Sequence, residues 1–489
     1  MKKYLSYICL VAVIATTIGC SDFGSTDVNP NGSTVPLTSA LLTNAIVAMG
    51  GAAGANGVGV TAGLYCQYFS QTLYTDASRY SLQDVAWSEL NGNMYDLQNI
   101  ININSDPKTA AYAALNGSNN NQIAIARILK AIRFSILTDR YGDMPYTEAL
   151  TGKPNPKFDT QQSIYTDIFK ELSEAVAQFD NKGAVKGDIL FAGNNTRWQQ
   201  LANSWRLILA LRVSKADAAT GKAQFTNVLS NLATNGGILV TSADDINLTF
   251  PGNAVEFNNP WYGLGGDQNV CTTIANWMNA RGDDRRNAFG NVISAAQGLV
   301  GVPPGLKRDD ALAYTNANPN HSLILNNTYR AVGSTLTILT AGDILLARAE
   351  AAVPTANGGL GWTNESYTAL YASGISESWK HWGQNSAANL TAYMAQPLVD
   401  LASASSNIAE KIGTQRWISF YPNGPQGWSE WRRTGFPALS PAPEPLRGNS
   451  IPVRFIYPTT EYGLNLAGVN TAIAAQGADT PDTNVWWDK

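Results

Sequence analysis

Ile125, Ile128, Leu129, Ile132 and Ile136 recur at intervals of three and four residues, a spacing that only an α-helix gathers into one face. It predicts a helix over residues 121–138, with Arg127, Lys130 and Arg133 opposite the apolar stripe. Ile164, Ile168, Leu172, Ala175, Val176 and Phe179 predict a second helix, with Asp159 or Thr160 as its N-cap. Trp198, Leu201, Trp205, Ile208, Leu209 and Arg212 predict a third. Residues 341–352 read as a short buried helix carrying Arg348 and Glu350, and residues 401–417 as a further one. Residues 41–74 also read as helical, and the small residues at 50–59 in their middle suit close helix packing. Gly57-Val58-Gly59 lacks the third glycine and the preceding strand of a phosphate-binding turn.

Between residues 235 and 334 the helical periods fade. Asn, Gly and Pro become dense, and short β-prone pieces appear at 237–241 and 246–250. Residues 421–489 read as similarly irregular. The pattern is therefore a mostly α scaffold with long loop-rich excursions. Long ordered loops on a rigid scaffold are where function concentrates.

Composition narrows the chemistry. Of 489 residues, 44% are hydrophobic and 10% aromatic, enough for a sizeable core, while only 14% are charged. The usual charged share is about 25%, so Asn, Ser, Thr, Gln and Gly must finish the surface. Basic residues cluster no further than Arg285-Arg286 and Arg432-Arg433, and the net charge is −4, which argues against a nucleic-acid partner. Two histidines, His321 and His381, leave no His-rich metal site and make a His-based triad improbable. The sequence holds no His-Glu-x-x-His, Gly-x-Ser-x-Gly, Walker A or Cys-x-x-Cys motif, and no cofactor is implied. Glu171 and Glu174 read as a solvated helix face. Asp283-Asp284 and Asp309-Asp310 lack EF-hand spacing and, beside Arg285 and Arg308, read as surface ion pairs.

At the N-terminus, Lys2 and Lys3 precede an apolar stretch at 4–18 that is too short to span a bilayer. Thr17-Ile18-Gly19-Cys20 resembles a lipobox, although Thr17 replaces the usual aliphatic residue. Residues 1–19 are thus expected to be a signal peptide, and Cys20 a lipidated first residue followed by a flexible linker to residue 37. No later run reaches 18 apolar residues. Cys66 and Cys271 read as buried unpaired thiols in preference to a disulfide.

Aromatic residues supply the candidate site. Tyr74, Tyr80 and Trp87 follow the first helical region. Asn258-Asn259-Pro260 leads into Trp261 and Tyr262, and Trp277 stands between Asn276 and Met278. Aromatic faces stack on the apolar faces of sugar rings, while Asn and Arg bond the hydroxyls. Any one of these rings reads as core filling, but the set in Asn-rich loops reads as a binding platform.

A series of motifs runs along nearly the whole mature chain. It begins with Arg140-Tyr141-Gly142-Asp143-Met144-Pro145-Tyr146 and Pro156-Lys157-Phe158-Asp159. Trp198-Gln199-Gln200-Leu201-Ala202-Asn203-Ser204-Trp205-Arg206 and Gly342-Asp343-Ile344-Leu345-Leu346-Ala347-Arg348-Ala349-Glu350 follow. Gln415-Arg416-Trp417, Trp428-Ser429-Glu430-Trp431-Arg432-Arg433-Thr434-Gly435, Ile451-Pro452-Val453-Arg454 and Tyr457-Pro458 close it. In this order they resemble the SusD/RagB family of nutrient-binding outer-membrane lipoproteins, in its SusD-like branch.

The resemblance implies tetratricopeptide-like helix pairs forming a right-handed scaffold over about 38–235 and 338–420. Loop-rich regions at about 236–337 and 421–489 complete a single unit from 38 to 489. It implies a lipid-anchored, non-enzymatic protein of the outer membrane, facing the cell exterior. Such a protein captures oligosaccharides, or in some members peptides, for a SusC-type TonB-dependent transporter. Trp428, Trp431 and Arg432 are read as scaffold. Family ligands lie against the connection after the first helix and the mid-chain loops. Here those hold Tyr74, Arg79 and Tyr80, then Asn258, Asn259, Trp261, Tyr262 and Trp277, and the two segments are expected to meet on one exposed face. A surface glycan hydrolase using carboxylates, and an assembly subunit that touches no substrate, remain alternatives.

Overall fold

The first two helices among the described residues are α1 (Thr38–Val47) and α2 (Gly57–Tyr65). The computed structural model describes residues 35–50, 57–87, 90, 92–254, 257–292, 294 and 296–489. The expected signal peptide and Cys20 lie outside them. Helix α2 ends at Tyr65, and Phe69–Gln71 form strand β1, so the expected helix over 41–74 is two helices and a strand. The turn between them passes through Gln67, whose positive φ no helix accommodates.

The long helices follow where the apolar spacing places them. They are α3 (Asn93–Ser105), α4 (Asn119–Tyr141), α5 (Gln161–Gln178), α6 (Asn195–Arg212) and α7 (Ala218–Ser230). Side-chain caps define their starts. Ser118, Thr160, Asn194 and Asp217 accept backbone N–H bonds from the first turns of α4, α5, α6 and α7. Each helix packs on the next in sequence from α3 to α7, and α1 packs on α3. Between α4 and α5, β2 (Met144–Pro145) pairs antiparallel with β3 (Phe158–Asp159).

The Arg140 to Tyr146 motif has a local cause. Gly142 ends α4 with φ +79, and a Cβ there would lie 1.6 Å from Gln476 Oε1. That same oxygen accepts the Asp143 N–H at 2.9 Å, and Asp143 Oδ1 accepts the Gln161 N–H at the start of α5.

The middle of the chain contains β4 (Ile246–Thr249), β5 (Gln268–Val270), α8 (Thr272–Asn279), α9 (Arg308–Ala317) and β6 (Thr335–Leu339). The β-prone piece at 246–250 is a strand, paired antiparallel with β6, whereas residues 237–241 form none. Asp283 and Arg285 are not a surface pair. Both are fully buried, with Arg285 also bonded to Tyr393, Gln415 and Ser378.

Helices α10 (Ala341–Ala352), α11 (Tyr367–His381), α12 (Ala387–Met394), α13 (Ile408–Ser419) and α14 (Gly424–Thr434) complete the scaffold. Helix α10 starts with a reciprocal capping box between Thr340 and Asp343. It packs on α11, α13 and α6. A second apolar cluster, including Leu346, Tyr371, Trp379, Tyr393 and Ile412, sits among these helices beside the main core.

The segment expected to be irregular after residue 421 holds α14, α15 (Thr459–Leu464) and α16 (Leu466–Gln476). Trp428 is fully buried, donates from Nε1 to Pro452 O, and lies 3.8 Å beneath the Arg432 guanidinium. Helix α14 approaches α2 so closely that a Cβ at Gly424 would lie 2.4 Å from Gly59 O and Gly63 N. Residues Thr38–Lys489 form one compact unit, mostly helical and built from tetratricopeptide-like helix pairs.

Candidate ligand-binding face

The connection after α2 and the mid-chain loop meet through their backbones. Strand β1 pairs antiparallel with β5, with Phe69 opposite Val270 and Gln71 opposite Gln268. Just beyond the pair, Asp267 Oδ1 accepts the N–H groups of Thr72, Leu73 and Tyr74 at 3.0, 2.6 and 3.1 Å. Its Oδ2 accepts the side-chain amides of Gln71 and Gln268. A buried carboxylate that receives three successive amides holds a turn by charge-assisted bonds. The turn carries Leu73 and Tyr74 out to solvent, and Tyr74 is 78% exposed.

Asn259 fixes the other segment from inside. It is fully buried, donates from Nδ2 to Ser334 Oγ and Thr335 O, and accepts the Trp261 N–H at 2.9 Å. Trp261 turns inward, 3% exposed, with its ring edge-to-face on Phe69 at 6.0 Å. Tyr262, the next residue, turns outward and is 52% exposed. Phe257 is also exposed in this loop, and Asn258 is half-buried. Tyr74 and Tyr262 therefore rise from two segments joined at Asp267, in a setting of exposed Gly263, Gly265 and Gly266.

Three residues of the expected platform are corrected. Tyr80 is 3% exposed; its hydroxyl accepts the Ala442 N–H at 2.7 Å, its ring packs on Tyr65, and burial pushes its pKa up to about 12. Trp261 and Asn259 are core and scaffold for the reasons just given. Arg79 is half-buried and donates from Nε to Glu444 O. Trp277, half-buried on α8, is covered by the Arg281 guanidinium at 4.4 Å and packs edge-on against Tyr393. Its ring packs against the second cluster and stays partly exposed. Sequence reasoning missed Leu73, Phe257 and Asp267. Gly265-Gly266-Asp267 is a turn signal that marked the clamp.

One constellation has the order of a catalytic triad. His381 Nδ1 lies 2.7 Å from Asp245 Oδ2, and Nε2 lies 3.1 Å from Thr337 Oγ1. Thr337, however, donates its hydroxyl proton to Asn247 Oδ1 at 3.0 Å. The adjoining cavity measures about 10 Å³, room for a single water and no substrate. Asp245 also accepts the Ala341 N–H at the start of α10, so the group braces that helix. Among the described residues no cluster of three or more His, Cys, Asp or Glu side chains could hold a metal. Cys66 and Cys271 are both buried and free. Among the described residues no helix is long and apolar enough to cross a membrane.

Residues 30–458 match the SusD-like family described as "Starch-binding associating with outer membrane". A solved chitin-binding protein is 26% identical with a TM-score of 0.77, over 92% of this chain and 99% of that one. A SusD homologue from Bacteroides fragilis NCTC 9343 is 21% identical with a TM-score of 0.77, over 92% of this chain and 100% of that one. A chitin-binding SusD homologue from Flavobacterium johnsoniae is 21% identical with a TM-score of 0.73, over 92% and 98%. Curated protein sequences give no match. With a family match over most of its length and a scaffold shared with solved homologues, the chain belongs to the SusD-like family.

Proposed function

We propose that this protein is a non-catalytic surface lipoprotein that binds an oligosaccharide and delivers it to a SusC-type TonB-dependent transporter in the outer membrane. The observation that carries the reading is the pair of exposed rings, Tyr74 and Tyr262, on segments clamped at Asp267. Membership of a family described as starch-binding, and likeness to two proteins described as chitin-binding, support a glycan as the ligand. Stacking plus a few hydrogen bonds to hydroxyls corresponds to dissociation constants of roughly micromolar to millimolar.

Calorimetry of the protein from residue 21 onward, against starch-type and chitin-type oligosaccharides, tests this. At least one should bind, and Tyr74→Ala or Tyr262→Ala should each weaken it by about 1–3 kcal/mol, as ring stacking does for bases. Thermal stability should change little, because both rings are exposed. Heat with peptides and none with any glycan would replace the sugar by a peptide ligand. The anchor is tested separately. Cys20→Ala should move the protein from the membrane to the soluble fraction, since acyl chains supply the membrane affinity. A variant that still pellets with lipid in cells lacking the transporter rules the anchor out.

A further inference from the structure

A groove of about 430 Å³ opens between α3, α4, α5 and the loop after β2, within the size range of small-ligand sites. None of its lining residues belongs to the segments carrying Tyr74 and Tyr262. One rim is Tyr95, 40% exposed on α3. The opposite wall is the Tyr146 ring, packed edge-to-face on Phe134 at 4.7 Å. A polar relay crosses the groove. Lys130 Nζ donates to Gln98 Oε1 at 3.1 Å, and Gln98 Nε2 donates to Asn102 Oδ1 at 2.9 Å.

That relay leaves donor capacity at the solvent-exposed rim, where Asn102 stands. Among the described residues, the exposed Asn102 amide nitrogen donates to no protein acceptor, and Lys130 Nζ donates to Gln98 Oε1 alone, so both can turn to a ligand in place of water. Burial holds the Lys130 pKa below its usual value, against the pull of Glu171 and Asp167. Acceptor capacity is also present, because Asp167 takes only the Tyr146 hydroxyl proton, at 2.7 Å, on Oδ2, while its Oδ1 lies 4.0 Å from Lys170 Nζ. Glu171 is already engaged by Arg127 through both of its oxygens. One ammonium and one carboxylate thus face the groove and cancel. A ligand of one net charge gains little from such a pair, whereas a ring of hydroxyls meets donors, acceptors and an aromatic face together.

We propose that this groove is a second saccharide site, taking a single neutral sugar ring apart from the loop face. The ligand class rests on the proposed function, while the location rests on the groove. Saturation-transfer NMR with methyl glucoside and methyl N-acetylglucosaminide as probes tests it. The Tyr74→Ala/Tyr262→Ala protein should still transfer saturation to one of the two. Adding Tyr95→Ala or Asn102→Ala should weaken that binding by about tenfold or more. Absence of transfer in the double variant, or a residual signal indifferent to Tyr95→Ala and Asn102→Ala, overturns the groove and leaves the proposed function standing. Groove-dependent transfer in a protein that binds no oligosaccharide at Tyr74 and Tyr262 supports the groove and overturns the loop-face reading instead.

Discussion

Asp267 accepts the amide protons of three consecutive residues, and because the Thr72 N–H also reaches the Asp267 carbonyl oxygen at 3.1 Å, removing the side chain strands the donors of Leu73 and Tyr74. An unsatisfied buried group costs about 1–3 kcal/mol, less where water enters, as it can beside an exposed turn. Asp267→Ala should therefore lower stability modestly and free the turn at Leu73 and Tyr74. Faster amide exchange at residues 73 and 74 and weaker glycan binding are the expected readouts. Unchanged exchange there would remove Asp267 as the clamp. The sequence named Tyr74 and Tyr262 but could not separate them from Tyr80 and Trp261. Adjacent residues such as Trp261 and Tyr262 share composition and neighbours, and only the turn made by Asn259 decides which ring faces inward. The clamp was harder to see because Gly265-Gly266-Asp267 signals a turn but not which amides the Asp accepts.

Helix α14 shows what the same limit means for a whole element. Glu430 on this helix bonds Arg416 of α13 at 2.8 Å, and Arg433 binds both Glu430 and Glu350 of α10. Burial alone would raise the Glu430 pKa, but Arg416 and Arg433 hold it well below the usual carboxylate range. Glu430→Gln removes the more buried of the two carboxylates that Arg416 and Arg433 share, the other being Glu350, so the cost is expected at the lower end of the range of about 3–5 kcal/mol for breaking a buried pair. Chemical denaturation should show a loss of that size. A loss under about 1 kcal/mol would mean that the arginines find other partners. A buried helix rich in Arg, Glu and Trp has no apolar stripe, which is why residues 424–434 read as irregular while α4, α5 and α6 were legible. The start of α13 was legible and missed. Asn407 caps it by accepting the Glu410 N–H at 2.7 Å, whereas the apolar residues from Leu401 onward suggested an earlier start.

At the scale of the whole molecule, part of the sparse charge is buried among the described residues. Arg212 with Asp139, Arg285 with Asp283, and Arg416 and Arg433 with Glu430 are buried pairs, of which Arg212–Asp139 joins α6 to α4 and Arg416–Glu430 joins α13 to α14. The Asp343 carboxylate, by contrast, forms no ion pair with any cation among the described residues. It sits at the start of α10, accepting from Thr340 and Ser419, with the Asp245 charge nearby. Burial pushes its pKa up to about 6 from an ordinary 3.8, against the Ser419 and Thr340 hydrogen bonds. The folded state therefore holds this proton more tightly than the unfolded chain. The stabilisation is complete below about pH 4 and is lost as pH rises through about 6. Asp343→Asn removes the titration while keeping an oxygen for the helix cap. Relative to wild type, the variant should gain about 1–3 kcal/mol between pH 4 and pH 7.5, from a shift of roughly two pKa units at most. Denaturation of both proteins across that range gives the difference in slope directly. Parallel curves would show that Asp343 titrates as it does in the unfolded chain, and that its capping bonds offset the whole cost of burying it.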